Sequence, residues 1–355
     1  MDHPEVTVLM PVFNAERFLR AAIDSILYQT FTSFELIIIN DGSTDRSVDI
    51  INSYRDPRIR TIVNAKNSGP VESRNAGLRI ARGKYIAPLD ADDVCEPQRL
   101  ERQVSVFEAN RKIALLATWG RVIDEYGNMI KEVRPPLNPF LLRWKLLLNN
   151  QLIHSSVMFP VSIVRELGGY KSLQPSEDYD LYSRIIMDHF VLVIPEHLVL
   201  WRKHSHGLSC KEVEIQKTAA HEIARRNSES LLKTKIPLED IQGLRAILSL
   251  APIPAFCDLK RNATLFHDLF HAAADRWKPD SEGYTAMAGD CSGWLAAMAS
   301  IAAQSNGRTS LHILKKAIKL HNASLFHLRF WKAVSKIILG TFLVKIARKV
   351  SSSGG

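Results

Sequence analysis

Between Val6 and Leu89, four short apolar runs alternate with stretches of helical periodicity, and this alternation limits the fold more than any other feature. The runs are residues 6–10, 34–39, 59–63 and 85–89. Each is rich in β-branched or aromatic residues and bounded by turn formers, which predicts strands. Between the first two, Phe18, Leu19, Ala22, Ile23, Ile26 and Leu27 form a helical stripe. After the second, Asn40-Asp41-Gly42-Ser43-Thr44-Asp45 is a turn leading into a helix, with Ser43 or Thr44 as its cap. After the third, Pro70 stands in the first turn of a helix over 71–81. Strand–helix alternation of this kind predicts an α/β fold whose mostly parallel sheet is covered on both faces.

The fourth run ends abruptly in Asp90-Ala91-Asp92-Asp93. At the carboxyl end of a strand in an open α/β sheet, these acids stand where ligands bind. In extended chain Asp90 and Asp92 point to the same side. So much negative charge in one place is costly without a cation. A hard divalent ion held by one or two carboxylates and by substrate phosphates answers that cost. The plainer reading is an acidic turn, with Asp93 capping a helix that Pro97 opens. Three other ends belong to the same crevice: Pro11-Val12-Phe13-Asn14-Ala15-Glu16, Asp41, and Arg74-Asn75. Taken singly, each is a turn or a solvated helix residue. Together they offer a carboxylate at Asp41 for a base or ribose, a guanidinium at Arg74 for a phosphate, and a metal between Asp92 and a diphosphate.

Beyond Pro97 the pattern predicts a helix to about Asn110, a strand over 113–118 and a turn at Tyr126-Gly127-Asn128. A helix over 140–148 follows Pro135, Pro136 and Pro139, and residues 155–159 return to the sheet. Another helix starts at Ser176-Glu177-Asp178-Tyr179-Asp180-Leu181 and runs to about Asp188. Strands over 191–194 and 198–201 close this part. From Lys211 onward the pattern is helical, broken at Pro237, Pro252, Pro254 and Pro279, so the expected division is 1–210 and 211–355. The chain of 355 residues carries a formal charge of +9, which favours anionic partners. Its cysteines, Cys95, Cys210, Cys257 and Cys291, lie far apart and read as reduced thiols. The acidic opening over 1–5 predicts no secretory signal. No apolar run approaches the ~20 residues that span a bilayer.

The order Pro-Val-Phe-Asn, Asn-Asp-Gly-Ser-Thr-Asp, Arg-Asn-Ala-Gly, Asp-Ala-Asp-Asp and Glu-Asp-Tyr-Asp-Leu resembles glycosyltransferase family 2 over roughly residues 5–210. The resemblance implies a GT-A (Rossmann-like) domain followed by a helical C-terminal region, and an inverting hexosyltransferase-type enzyme using a nucleotide-diphospho-sugar such as a UDP-sugar. It implies nucleotide contacts from Pro11, Val12, Asn14, Asp41, Arg74 and Asp90, with Asp41 on the base. Asp90 and Asp92 match the Asp-x-Asp pair for ribose and metal, and Asp93 is their neighbour. Glu177-Asp178 matches the Glu-Asp motif whose Asp is the general base. That role suits a carboxylate opposite a leaving diphosphate, at a helix start that favours its ionised form. One departure is Asn40, where many relatives carry Asp.

Trp201-Arg202-Lys203-His204-Ser205-His206 resembles the family segment that closes over the diphosphate. His204 is the expected third metal ligand, for Mn2+ or Mg2+, with His206 as competitor, while Arg202 and Lys203 are open to phosphate. His154 matches a position near the acceptor pocket or is a buried, hydrogen-bonded histidine. The resemblance sets the enzyme in bacterial surface polysaccharide assembly, with a saccharide or lipid-linked acceptor and no nucleic acid. A nucleotidyltransferase acting on sugar phosphates and a non-catalytic nucleotide-sugar-binding protein are the alternatives. Residues 327–350 carry Arg329, Lys332, Lys336, Lys345, Arg348 and Lys349 without an acid, interleaved with Phe330, Trp331 and Phe342. They predict an amphipathic helix holding a cytoplasmic protein on the inner membrane face.

Overall fold

The computed structural model describes residues 3–171, 175–205, 207, 210, 212–255, 257–303 and 307–320. The chain divides into two units, one comprising the residues up to Leu146 with Asn150–Ala220, the other Leu147–Asn149 with His221 onward.

In the first unit β1 (Val6–Val12), α1 (Leu19–Leu27), β2 (Phe34–Asn40), α2 (Ser47–Ser53), β3 (Ile59–Val63), α3 (Pro70–Ile80) and β4 (Tyr85–Pro88) alternate as the sequence predicts. β5 (Val94–Cys95), α4 (Arg99–Ala109), β6 (Ile113–Ile123), β7 (Met129–Val133), α5 (Pro139–Leu148), a 3-10 turn at His154–Ser156, β8 (Phe159–Pro160), α6 (Val161–Glu166), α7 (Glu177–Asp188) and β9 (Phe190–Arg202) follow. One sheet has the order β3-β2-β1-β4-β8, all parallel except β8, and the other the order β5-β9-β6-β7. Leu116 and Met158 exchange backbone hydrogen bonds of 2.9 and 2.8 Å and so join β6 to the approach of β8. Because β1, β2 and β4 are parallel, their carboxyl ends open on one edge.

Side-chain alternation along the strands builds a core on each face. Val6, Val8, Met10 and Val12 pack with Ala22, Ile23 and Ile26 of α1 and with Leu100, Val104 and Phe107 of α4. Leu9, Ile37, Ile39 and Ile86 pack with Val71 and Leu78 of α3 and with Leu181, Tyr182 and Ile185 of α7. Arg99 is fully buried, and its guanidinium donates to the carbonyls of Pro88 (3.1 Å) and Val157 (2.9 Å), which fixes the end of β4 against the turn before β8.

Three elements differ from the sequence reading. The expected strands over 191–194 and 198–201 are one strand, β9, whose register slips opposite Thr118 and Trp119. Pro195 lies at the slip, where it has no N–H to give the ladder, so the strand bulges and continues. α2 starts at Ser47, later than a Ser43 or Thr44 cap would place it, because Asp45 accepts from the Ser47 N–H at 2.9 Å. Asp93 does not cap a helix: α4 starts at Arg99, and the Asp93 carboxylate has other partners, described below.

α8 (Val213–Leu232) runs from the first unit into the second, which adds α9 (Leu238–Leu248), α10 (Leu259–Trp277), α11 (Ser281–Ala302) and α12 (Gly307–Leu320). Pro237, Pro252, Pro254 and Pro279 all fall between these helices. Asp258 and Asp280 cap α10 and α11 by accepting backbone N–H groups. Residues 327–350 and His206 lie outside the described residues. No helix among the described residues is long and apolar enough to cross a membrane.

Candidate active site

The loop leaving β1 is laced to the loop leaving β2. Asn14 adopts φ 50°, a left-handed conformation that Asn tolerates by hydrogen-bonding locally. Its Oδ1 accepts from the Thr44 N–H at 2.8 Å, and its own N–H donates to Ser43 Oγ at 3.1 Å. The Glu16 N–H donates to Asp45 at 2.9 Å, and the Arg46 N–H returns a 2.9 Å bond to Glu16. Gly42 has φ 73°, and a Cβ there would lie 2.7 Å from the Lys66 carbonyl carbon, so only glycine fits. Asp41 is buried, and its carboxylate accepts from Asn64 Nδ2 (2.7 Å) and the N–H groups of Ser68 (3.0 Å) and Gly69 (2.8 Å). It therefore holds the loop that opens α3. Pro11 and Val12 end β1 beside this frame.

At the end of β4, Asp90 accepts from the Arg74 guanidinium at 2.7 Å, and the same guanidinium pairs with Glu177 on α7. Burying this cation is costly, and two carboxylates answer the cost. Against burial, Asp90 and Glu177 hold the Arg74 pKa above its ordinary value. Against its own burial, Asp90 is held below the usual carboxylate range by Arg74. The sequence reading gave Arg74 to a phosphate, whereas here both terminal nitrogens meet carboxylates of the protein.

Asp92 Oδ2 and His204 Nε2 stand 2.8 Å apart, from the β4 loop and the segment after β9. The His204 ring packs on Phe18 at 4.9 Å, and the Arg202 guanidinium lies over the Phe18 ring at 4.7 Å. Arg202 straps the acid loop: its Nε donates to the Asp92 carbonyl at 2.9 Å and its backbone N–H to Asp93 at 2.8 Å. Ser155 Oγ donates to the other Asp93 oxygen and accepts from the Asp90 N–H at 3.1 Å. Burial, and then the charges of Asp92 and Asp90, push the Asp93 carboxyl well above its usual range. Asp93 thus anchors the loop that presents Asp90 and Asp92.

The Asp92–His204 pair suits a divalent ion. Neighbouring ligands of an octahedral ion with ~2.1 Å bonds stand about 3 Å apart, close to the spacing seen. No group of three or more His, Cys, Asp or Glu side chains among the described residues could hold a metal, so phosphate oxygens and water would complete the shell.

Asp178 lies in the first turn of α7, where the helix dipole favours an anion. It keeps partial solvent access. Burial, followed by the adjacent Glu177 charge, raises its pKa to about 7, opposed by the Tyr179 N–H and Arg74. Asn150 Nδ2 donates to its Oδ2 at 3.1 Å. This bond favours the ionised form. Asn150→Ala should therefore move the acidic limb of the pH–rate profile to higher pH, and an unshifted limb in pH–rate measurements would show that the bond does not act on Asp178. α7 is fixed at its other end by Arg143, whose guanidinium donates to the carbonyls of Ile186 (2.9 Å) and Met187 (3.1 Å).

His154 is buried, with Nδ1 2.6 Å from the Tyr182 hydroxyl. Burial and Arg74 lower its pKa to about 3, so it is neutral at physiological pH. Of the two readings open from sequence, this geometry supports the buried, hydrogen-bonded one.

The sequence reading named the acids and His204 but missed Phe18, Asn64, Asn150 and Ser155. Each is a polar or aromatic residue in a turn or stripe, and its partner lies tens of residues away.

Residues 7–168 match the family described as Glycosyl transferase family 2. TarS 1–349 of S. aureus in complex with UDP-GlcNAc superposes with a TM-score of 0.56 at 13% identity, over 90% of this chain and 91% of that one. The mannosyltransferase PcManGT from Pyrobaculum calidifontis, in complex with GDP-Man and Mn2+, gives 0.50 at 17% identity over 92% and 88%. These likenesses show the GT-A fold with its added helical region. An uncharacterized glycosyltransferase of Methanocaldococcus jannaschii is 40% identical over 223 residues, 61% of this chain and 77% of that protein. With that identity and coverage, and with the motifs placed along β1, β2, α3, β4 and α7 of one crevice, the chain belongs to glycosyl transferase family 2 and is a glycosyltransferase.

Proposed function

We propose that the enzyme moves a sugar from a nucleotide-diphospho-sugar to a saccharide or lipid-linked acceptor by a metal-dependent, inverting displacement. The observation that carries this reading is the Arg74 bridge. It sets the Asp90 end of β4 against Glu177, the residue before Asp178, so the donor side and the base side of the crevice share one guanidinium. The nucleoside lies against Pro11, Val12 and Asn14, on the loops that Asp41 and Gly42 hold in place. Asp92 and His204 would hold a manganese or magnesium ion, which would supply positive charge to the leaving diphosphate. Asp178 takes the proton of the acceptor hydroxyl as its oxygen attacks the anomeric carbon. A carboxyl poised near neutrality is well matched to that transfer. Arg202 and Asp93 hold the acid loop in shape, and Asn150 orients the base.

The nucleotide-sugar complexes of TarS and PcManGT support a donor of this class. The setting proposed is bacterial surface polysaccharide assembly on the cytoplasmic side of the membrane. Asp92→Asn tests the metal assignment, because the amide is a far poorer ligand for a hard cation. In isothermal titration with a nucleotide-sugar, manganese should strengthen donor binding to wild type and should no longer do so for the variant. Equal manganese dependence in both would remove Asp92 from the metal site.

A further inference from the structure

Two side chains that can ligate a metal stand together on α10. His267 and His271 are four residues apart on that helix, so their rings share a face. Their Nε2 atoms are 3.3 Å apart, and the rings meet edge-on with centroids 4.5 Å apart. Two nitrogens bound to one tetrahedral zinc at ~2.0–2.1 Å stand about 3.3–3.4 Å apart. The spacing on the helix is thus already that of a chelating pair.

The neighbours also suit ligation. Asp268 Oδ1 lies 3.3 Å from His267 Nδ1, which assigns the His267 proton to Nδ1 and leaves the Nε2 lone pair facing His271. A carboxylate in this place fixes the tautomer and raises the basicity of a metal-bound imidazole. Phe270 meets the His271 ring edge-on at 5.3 Å and restricts its rotation. In the free protein His271 Nε2–H donates to His267 Nε2. On binding, the proton leaves His271 Nε2 for solvent or for Nδ1 of the same ring, and both Nε2 lone pairs meet the ion.

We propose that His267 and His271 form a two-histidine site for a borderline divalent transition metal, with water in the remaining positions. Among the described residues the proposed site consists of these two histidines. Copper(II) should bind it more tightly than zinc, following the usual order for nitrogen ligands.

The test is isothermal titration of the full chain with zinc chloride. Wild type and Asp92→Asn should share a binding event that is absent from His267→Ala/His271→Ala. His271→Gln, which keeps a hydrogen-bonding side chain of similar size, should lose the event as well. Asp268→Asn should keep the event but weaken it about tenfold, the lower end of what removing such a carboxylate costs. Circular dichroism of the metal-free variants should match wild type. Zinc binding by the double variant equal to that of wild type, or no zinc binding by wild type, would overturn the proposal.

Discussion

Asp178→Asn lowers turnover by about 10²–10⁴ and leaves donor affinity near that of wild type, the loss expected when a general base is removed. The donor side is built on β1, β2 and β4, whereas Asp178 stands in the first turn of α7. The substitution removes a proton acceptor and keeps the side chain's size. On the proposed mechanism the wild-type rate should rise with pH through the Asp178 pKa, raised to about 7, because only the ionised carboxylate accepts a proton. In the variant that limb disappears. Single-turnover kinetics with separate donor titration distinguish the outcomes. Donor binding lost together with turnover would make Asp178 a donor-side or structural residue.

Arg74→Met destabilises the protein by about 3–5 kcal/mol, the cost of breaking a buried ion pair from one side. The loss arises because Asp90 and Glu177 stay behind as adjacent, poorly solvated carboxylates. The pH dependence follows from the same arrangement. In wild type Arg74 depresses the Asp90 pKa, so its contribution is present above the unfolded-state value and is lost as pH falls through the folded one. The deficit of the variant is therefore greatest at neutral pH and narrows in acid, where the carboxylates take up protons. Urea unfolding at several pH values measures this. A variant as stable as wild type at neutral pH would show that the bridge contributes nothing to the fold.

Much of this arrangement was legible in the residues. The strands β1 to β4 could be read because short apolar runs bounded by turn formers have few other solutions, and Asp90 and Asp92 followed from their place at a strand end. The pairing of Asp92 with His204 came from motif order alone, since no local rule joins residues 112 positions apart. The protein partners of Asp41 and Arg74 were not legible. A carboxylate or guanidinium shows what it can bind, but here the partners are the 64–69 loop for one, and Asp90 and Glu177 for the other. Asn150 gives no periodic signal, because it lies in a turn after an apolar helix and acts through a single hydrogen bond. The two strands read from 191–201 failed for a local reason: Pro195 punctuates the sequence, but the chain absorbs it as a bulge.

In the proposed mechanism one base, Asp178, acts on the acceptor while the diphosphate leaves from the donor side. Proton NMR of the sugar first released from a nucleotide-sugar, by transfer or by slow hydrolysis, reads this directly from the anomeric configuration. A single displacement gives the anomer opposite to that of the donor. Release of the retained anomer would contradict the proposed mechanism, because it requires a second displacement at a nucleophile that this mechanism does not contain.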